Sequence, residues 1–276
     1  MSVEIAELKV QSFDVSSLTI LWKTQVNAPS DASKIKYFVE RSLGPIGDFQ
    51  TLNSQAIIDT YFYIDTTVNL SNKWREFYYR IRVEDENFNP KVVSYSEAKS
   101  RFLGSPSSAQ LLSLEIARNI KIYIEGTLNH ASPVGTQCLL FIRRTFGQNC
   151  DVCYDNIKSR SRSSSCNSCY NTTYKYGFMQ PLKVSILLNP PKKVSQLEDN
   201  GEEQVVDTEA IMPNWPVISP GDILVTRYNK RFRVSEVSLS EIQEGLNTQQ
   251  QLKLHYLNPV DAEYSLPVDI GMFDAW

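Results

Sequence analysis

The chain has 276 residues, of which 42% are hydrophobic and 21% are charged, a composition typical of one large or two small globular domains. Its longest uninterrupted apolar run, residues 138–142, is far shorter than the roughly 20 residues that a membrane span requires. Only two histidines occur, His130 and His255, which disfavours a multi-histidine metal centre and a Ser-His-Asp hydrolase. Residues 1–7 lack the basic and apolar regions of a secretory signal, so we expect neither secretion nor a membrane partner.

The net charge of −3 is distributed unevenly along the chain. Residues 1–103 carry −1, residues 104–191 carry +5 and residues 192–276 carry −7. A basic middle and an acidic C-terminal part favour self-association or docking between unlike faces over simple affinity for nucleic acid. Ordinary scatter of surface charge is the alternative, and the sequence leaves both open.

The first hundred residues carry the pattern of an all-β domain. Segments rich in β-branched and aromatic residues, at 18–23, 36–41, 61–65 and 77–84, are separated by turn-forming sequences. In the last segment Phe77, Tyr79, Ile81 and Val83 occupy alternate positions, which predicts a strand with one buried face. Short strands at this spacing indicate an antiparallel sandwich.

These segments resemble a fibronectin type III domain. Leu-Thr-Ile-Leu-Trp at 18–22 resembles its second strand, Tyr-Phe-Tyr-Ile-Asp at 61–65 the strand before its tyrosine corner, and residues 77–83 its sixth strand. The sequence Ser-Tyr-Ser-Glu-Ala at 94–98 resembles the entry to its last strand. The resemblance implies a fibronectin type III-like sandwich over residues 1–103, with Trp22 in the core.

Residues 104–130 are predicted to form a linker and one connecting helix. Gly-Ser-Pro-Ser-Ser at 104–108 is the linker, and Ser107 or Ser108 can cap a helix that begins near Ala109. The helix ends at Gly126 or in the stretch 129–135, unless the alternation over 120–124 marks a strand instead. An apolar stripe at four-residue spacing is expected to pack on a core: Leu112, Ile116, Ile120 and Ile124.

Residues 131–276 are predicted to form a second β domain, a small barrel or sandwich. Strands are expected at 138–145, 182–188, 222–228, 231–237 and 251–257, with a two-residue turn at Asn229 and Lys230. The acidic stretch 198–203 is predicted to be a loop. The fold class is therefore mainly β, with a four-cysteine insertion over about 146–178.

Four cysteines form two C-x₂-C pairs, Cys150 with Cys153 and Cys166 with Cys169, twelve residues apart. Two such knuckles complete a closed tetrahedral thiolate shell, which predicts a structural zinc ion, with paired disulfides as the competing interpretation. No histidine or carboxylate is spaced as an open ligand or catalytic base, so we expect no enzyme activity. The fifth cysteine, Cys138, lies in an apolar strand and is expected to be buried.

Basic residues lie around this motif and form a possible interaction patch. Tyr154, Tyr170, Tyr174 and Tyr176 could stack on bases, which would make the insertion a nucleic-acid-binding zinc ribbon. The alternative is a solvated loop whose basic residues pair with acidic neighbours, and the acidic net charge of the chain favours it. The basic residues are Arg143, Arg144, Lys158, Arg160 and Arg162.

The run from residue 141 to 178 resembles a set of tailed-bacteriophage virion proteins. It contains Phe-Ile-Arg-Arg-Thr-Phe-Gly-Gln-Asn-Cys at 141–150, both knuckles and Tyr-Gly-Phe at 176–178, and departs from those proteins over 170–178, where they have a tighter glycine-rich turn. Asn-Trp-Pro at 214–216, Gly-Asp-Ile-Leu-Val at 221–225, Asn-Lys-Arg-Phe-Arg-Val at 229–234 and Tyr-Ser-Leu-Pro-Val at 264–268 extend the likeness.

This resemblance, over roughly residues 110–268, implies a virion structural protein of the neck or head-to-tail connector, assembled in the host cytoplasm. Its partners would be portal, adaptor or tail proteins and further copies of itself in a homo-oligomeric ring. Two alternatives remain: a nucleic-acid-binding zinc-ribbon protein, and a baseplate or fibre component that binds a host surface through its N-terminal sandwich.

Overall fold

The structure, a computed structural model, describes residues 3–13, 17–25, 31–68, 76–101, 108–126, 134–155, 160–162, 165–189, 192–198, 201–242 and 246–273. It is mainly β, as predicted, and one α-helix, α1 (Ser108–Glu125), occurs in these ranges. The strands are β1 (Glu4–Gln11), β2 (Leu18–Gln25), β3 (Ile35–Ser42), β4 (Gln50–Thr51), β5 (Phe62–Asp65), β6 (Phe77–Asp85), β7 (Val92–Tyr95), β8 (Lys99–Arg101), β9 (Thr136–Phe141), β10 (Tyr154–Asp155), β11 (Arg160–Ser161), β12 (Leu182–Leu188), β13 (Lys192–Glu198), β14 (Gly201–Pro213), β15 (Ile223–Thr226), β16 (Arg231–Ile242) and β17 (Leu246–Tyr256).

The chain divides into two compact units. The first comprises residues 1–111 with 145–149, and the second comprises 112–144 with 150–276. The division falls within α1, whereas the sequence predicts a separate linker and helix over 104–130. Of that segment, residues 104–107 and 127–130, including His130, lie outside the described residues.

The first unit contains two antiparallel sheets that share one core. One sheet has the order β1-β2-β5 and the other β4-β3-β6-β7, with β8 also paired to β6. Trp22 of the first sheet meets Tyr37 of the second with ring centroids 5.6 Å apart. The predicted inward face of β6 is confirmed, because Phe77, Tyr79, Ile81 and Val83 are all buried. The two-sheet arrangement fits the predicted class, and the fibronectin type III likeness stays a prediction.

A buried carboxylate connects three strands of this unit. Asp65 at the end of β5 accepts a hydrogen bond from the Tyr79 hydroxyl at 2.8 Å and pairs with the Arg41 guanidinium at 2.7 Å. Thr67 donates to the same carboxylate through its backbone N–H and its hydroxyl. Burial, together with the charge of Asp65, raises the pKa of Tyr79. The hydroxyl of Tyr79 therefore stays protonated as the donor that holds β6 to β5.

The second unit is built on a closed six-stranded antiparallel barrel. Its ring order is β12-β9-β15-β16-β17-β14, and the pairs Leu187↔Ile211 and Leu188↔Ala210 return β14 to β12. Strand β9 is buried on both faces. Cys138 and Leu140 lie in the core that is shared by the ring strands, and Leu139 lies in a second cluster with the C-terminal residues Leu266 and Phe273. Burial on both faces explains the continuous apolar run at 138–142.

Two predicted connections in this unit are wrong. The acidic stretch 198–203 is not a loop: Glu198 ends β13, Gly201 begins β14, and only residues 199–200 lie between them, outside the described residues. Strand β13 and the start of β14 are mostly polar, so their sequence shows no apolar alternation. Their backbone hydrogen-bonding groups are nevertheless paired, in the antiparallel register from Lys192↔Asp207 to Glu198↔Gly201. The β15–β16 turn spans residues 227–230, four instead of two, with Asn229 at a φ of 57°.

The predicted helix forms, and the competing strand over 120–124 is wrong. It ends as expected at Gly126, whose φ is 80° and whose N–H donates to the Ile122 carbonyl. The predicted core stripe is only partly correct, because Ile124 is buried whereas Leu112 is 58% exposed. The buried face instead includes Leu114 and Ala117. The helix is therefore rotated about its axis relative to the predicted stripe, and four-residue spacing alone does not specify that rotation.

Replacement of Trp22 by Ala should lower the unfolding free energy of the first unit by about 3–5 kcal/mol, because the ring is 2% exposed and its removal leaves a cavity. Denaturant unfolding of the whole chain, with hydrogen exchange in β1–β3 as the local readout, measures the loss. Trp22→Phe is the matched control. The buried Nε1 has no hydrogen-bond partner among the described residues, so Phe should cost much less than Ala. Equal stability of Trp22→Ala and wild type would contradict the core assignment.

Candidate metal centre

The four predicted cysteines lie together in a buried cluster. The Sγ atoms of Cys150, Cys153, Cys166 and Cys169 are all within 4.8 Å of one another, and those of Cys153 and Cys169 are 3.4 Å apart. Four sulfurs around one tetrahedral ion with bonds of about 2.3 Å would be separated by about 3.8 Å, which fits this spacing. All four are free thiols, contrary to the disulfide alternative. The cluster could therefore hold one metal ion.

Backbone hydrogen bonds shape each knuckle as a tight turn. The N–H of Tyr154 donates to the Cys150 carbonyl at 3.1 Å, so the chain reverses directly after the first C-x₂-C pair and enters β10. After the second pair, the N–H of Asn171 donates to the Cys166 carbonyl at 3.2 Å. The Asn171 side chain returns the contact, because its Oδ1 accepts from the Cys166 N–H at 2.8 Å. Asn171 thus closes the second knuckle from both sides.

The segment after the second knuckle is unusually rich in left-handed backbone. Tyr170, Asn171, Thr173 and Tyr176 have φ between 50° and 68°, and Gly177 follows at 68°. For residues with a Cβ this conformation costs about 1–2 kcal/mol each, so neighbouring contacts must stabilise it. The Thr172 hydroxyl provides one such contact by donating to the Cys169 carbonyl at 2.8 Å.

Burial and hydrogen bonding act on the cysteines in opposite directions. Burial, with hydrogen bonds among the thiols, raises the pKa of Cys153. Burial also opposes ionisation of Cys166, but hydrogen bonds from the Cys169 backbone and thiol and from the Ser168 backbone outweigh it and lower the pKa of Cys166 to about 7. The surroundings of Cys166 therefore stabilise a thiolate, the form that binds metal, whereas burial raises the pKa of Cys169 in the same knuckle. Cys138 is fully buried, as predicted, and burial alone raises its pKa to about 12.

Two predicted patch residues connect the cluster segment to the barrel. Arg143 donates from its guanidinium to the Asn171 carbonyl at 3.1 Å. Arg144 donates from its backbone N–H to the Gly177 carbonyl at 3.0 Å and from Nε to the Phe178 carbonyl at 3.1 Å. Both arginines lie just after the end of β9. This strand, which runs through the barrel core, therefore positions the two arginines that hold the cysteine segment.

Two acidic residues that the sequence analysis missed complete this anchor. Asp222 is 1% exposed and accepts hydrogen bonds from the backbone N–H groups of Arg143 and Ser219, at 2.7 and 2.8 Å. Burial raises the pKa of Asp222 to about 6, although those hydrogen bonds and the Arg143 charge act to lower it. Glu263 accepts from the Asn171 amide at 3.4 Å and pairs with Arg233 at 3.2 Å. Asn171 follows a C-x₂-C pair and could have been suspected, whereas no local pattern points to Asp222 or Glu263.

The remaining patch residues behave differently from Arg143 and Arg144. Arg160 and Arg162 are exposed, and the Nε of Arg162 lies 3.4 Å from the Asp155 carboxylate. This ion pair fits the prediction that loop arginines pair with acidic neighbours. Lys158 lies outside the described residues. Among the tyrosines, Tyr170 packs near Phe178 with ring centroids 6.2 Å apart, and Tyr176 is 46% exposed.

In the part of the chain that the structure describes, these four cysteines form the one group of side chains arranged to hold a metal ion. No family model and no curated protein matches the chain. None of the described helices combines the length and hydropathy of a bilayer-spanning helix. The function must therefore be argued from the cluster and its surroundings.

Replacement of Gly177 by Ala should disrupt the cluster. A Cβ at this position would lie 2.6 Å from the Cys169 carbonyl oxygen and 2.7 Å from Cδ2 of Tyr170, so the second knuckle must shift. We expect at least a tenfold loss of metal affinity, measured by competition with a chromogenic chelator. Gly147→Ala is the control, because its φ of 111° is also strained but no atom lies within 4 Å of its Cβ. Equal affinities of the two variants would show that backbone strain alone matters at Gly177.

Proposed function

We propose that the four-cysteine cluster binds one structural zinc ion. Its support is the donor set: four thiolates in tetrahedral spacing select zinc or iron among common metals, and a closed shell without an open position is typical of structural sites. The neighbouring carboxylate of Asp155 is engaged with Arg162, and Asp151 is exposed with Lys175 at 3.8 Å. Neither is placed as a fifth ligand. The ion would hold the strained segment 170–177 against the barrel.

We further propose that the chain is a non-enzymatic structural protein of a tailed-phage particle, most simply in the neck, where it would form a ring. A structural role is supported by the hydrogen bonds that anchor the cluster to the barrel through Arg143, Arg144 and Glu263. A metal site that is held in this way stabilises the surface of the barrel around it. The phage assignment is supported by the sequence resemblance over residues 110–268. The separation of charge between residues 104–191 and 192–276 supports contacts between copies.

Purified protein should contain one zinc per chain, by elemental analysis, and should lack the visible absorption of an iron–thiolate centre. Cys166→Ser should reduce bound zinc to well below one equivalent and should increase hydrogen exchange over 150–178, because structural zinc contributes about 10–16 kcal/mol to folding in peptide systems. Cys138→Ala is the matched control. It removes a buried thiol outside the cluster, so it should keep full zinc while losing some barrel stability. Iron at one equivalent, or disulfides at the four positions, would refute the zinc assignment.

In infected cells, the wild-type chain should sediment with phage particles and be visible in a particle map. The triple variant Lys158→Glu, Arg160→Glu and Arg162→Glu should remain folded and zinc-loaded but join particles several-fold less efficiently, because Arg160 and Arg162 are exposed and their reversal changes the charge that a neighbouring protein would meet. Arg118→Glu, on the exposed side of α1, is the single-charge control. Tight, steeply salt-dependent DNA binding by wild type, abolished in the triple variant, would replace the neck assignment with the nucleic-acid assignment.

A further inference from the structure

Residues 258–273, which we call the C-terminal segment, follow β17 and lie against the second unit. The segment contains two short 3₁₀ turns, Ala262–Ser265 and Ile270–Phe273. The backbone hydrogen bonds within it are local, as from the Tyr264 N–H to the Asp261 carbonyl. Local bonds of this kind do not hold a segment on a barrel, so its docked position depends on side-chain contacts with the rest of the unit.

The C-terminal segment and the cysteine segment, residues 150–178, share one apolar cluster. Leu266 and Phe273 of the C-terminal segment are 5% and 3% exposed. Phe178 belongs to the same cluster, and Tyr170, which directly follows Cys169, packs against it. The cysteine segment therefore forms one wall of the place where the C-terminal segment docks. The floor is the face of β9 and β15 that is turned away from the barrel core, with Leu139, Phe141, Ile223 and Val225.

Asn171 adds a polar connection between the same two segments. Its backbone N–H and its Oδ1 both hydrogen-bond to the backbone of Cys166, and its Nδ2 donates to Oε2 of Glu263 at 3.4 Å. The Glu263 side chain is 12% exposed and also pairs with Arg233 at 3.2 Å. A largely buried carboxylate is costly without such partners, so displacement of Asn171 would destabilise the docked position of Glu263.

We propose that the metal state of the cysteine cluster controls how tightly the C-terminal segment is docked, with Tyr170 and Asn171 as the residues that transmit that state. This inference rests on the proposed metal binding and adds a conformational response to it. Both residues directly follow Cys169 and have left-handed backbone, with φ of 50° and 61°. Strained backbone persists where its surroundings hold it, and a bound ion would hold Cys169. Loss of the ion would let both residues relax and lose their contacts with the C-terminal segment together.

One contact of the C-terminal segment does not involve the cysteine segment. Arg231, in the barrel wall, donates to the carbonyls of Tyr264 and Leu266. Because this contact stays when the ion leaves, we expect the C-terminal segment to open more often while the barrel remains folded. Each opening uncovers the apolar face of β9 and β15, so metal loss makes a surface accessible that the metal-bound protein keeps covered.

Hydrogen exchange of the full-length protein, measured with zinc bound and after removal of zinc by a chelator under reducing conditions, tests the coupling. We expect removal to speed exchange over 258–273 by about tenfold or more, and exchange in β16 and β17 by less than about twofold. Ser265→Ala is the control. It removes a hydroxyl whose hydrogen bond stays within the C-terminal segment, at the Ala262 carbonyl, so the response to zinc removal should be kept.

Two results would overturn the coupling. Exchange over 258–273 that does not change on zinc removal would show that docking is independent of the metal. An equal increase in β16 and β17 would show a general loss of stability instead of a local opening. A chain that binds no metal would refute the proposed site itself, and elemental analysis identifies that failure separately.

Asn171→Asp, with zinc in excess, tests the transmitting residue. Its Oδ1 can still accept from the Cys166 N–H, whereas its second oxygen replaces the donor to Glu263 by a repelling group. We expect about fivefold faster exchange over 258–273 at one equivalent of bound zinc. Adding Glu263→Gln restores a donor and an acceptor with reversed roles, so the double variant should recover most of the protection. Glu263→Gln alone gives the cost of losing the Arg233 ion pair. Wild-type exchange in Asn171→Asp, or no recovery in the double variant, would overturn the role of Asn171.

Discussion

Four sulfur atoms within 4.8 Å of one another set the central constraint on the second unit. As thiolates, each pair at that distance would repel by about 3–4 kcal/mol at an effective dielectric of about 20, so four negative charges cannot remain in a buried site without a cation. The backbone contributes N–H groups that lower the pKa of Cys166, but it cannot neutralise the whole cluster. The left-handed residues 170–177, the turn closed by Asn171 and the anchors from Arg143 and Arg144 lie directly around these four sulfur atoms.

The barrel supplies that anchor from parts of the chain that are far apart in sequence. Arg143 follows β9, Asp222 precedes β15 and Glu263 lies after β17, yet all three contact the cysteine segment or the residues that hold it. The C-terminal segment that carries Glu263 is itself held by Arg231, which is buried and donates to the carbonyls of Tyr264 and Leu266. The cluster is therefore supported by a continuous set of hydrogen bonds that begins in the barrel wall.

Local sequence patterns were sufficient for the cysteines and for most strands. The two C-x₂-C pairs predicted that Cys150, Cys153, Cys166 and Cys169 lie together, because each pair is one tight turn, and alternation identified the buried face of β6. A barrel was one of the two forms predicted for this unit, but the strands that close it could not be predicted, since the pairing of β12 with β14 joins residues more than twenty positions apart without a local signature. Strand β13 and the first half of β14 were missed because their mostly polar residues give no alternation. The orientation of α1 was partly missed because Leu112 and Leu114 are equally apolar, and only tertiary packing chooses between them.

The short separation between the two knuckles has a consequence for the order of folding. Cys150 and Cys169 enclose a loop of only 20 residues, whereas the anchor from Arg143 to Asp222 spans 79 positions and the one from Asn171 to Glu263 spans 92. The entropy of closing a loop rises with its length, so the local segment loses less entropy on closing than the barrel does. With the proposed ion bound, we expect the cysteine segment to close before the barrel strands pair, and the anchors from the barrel to form last.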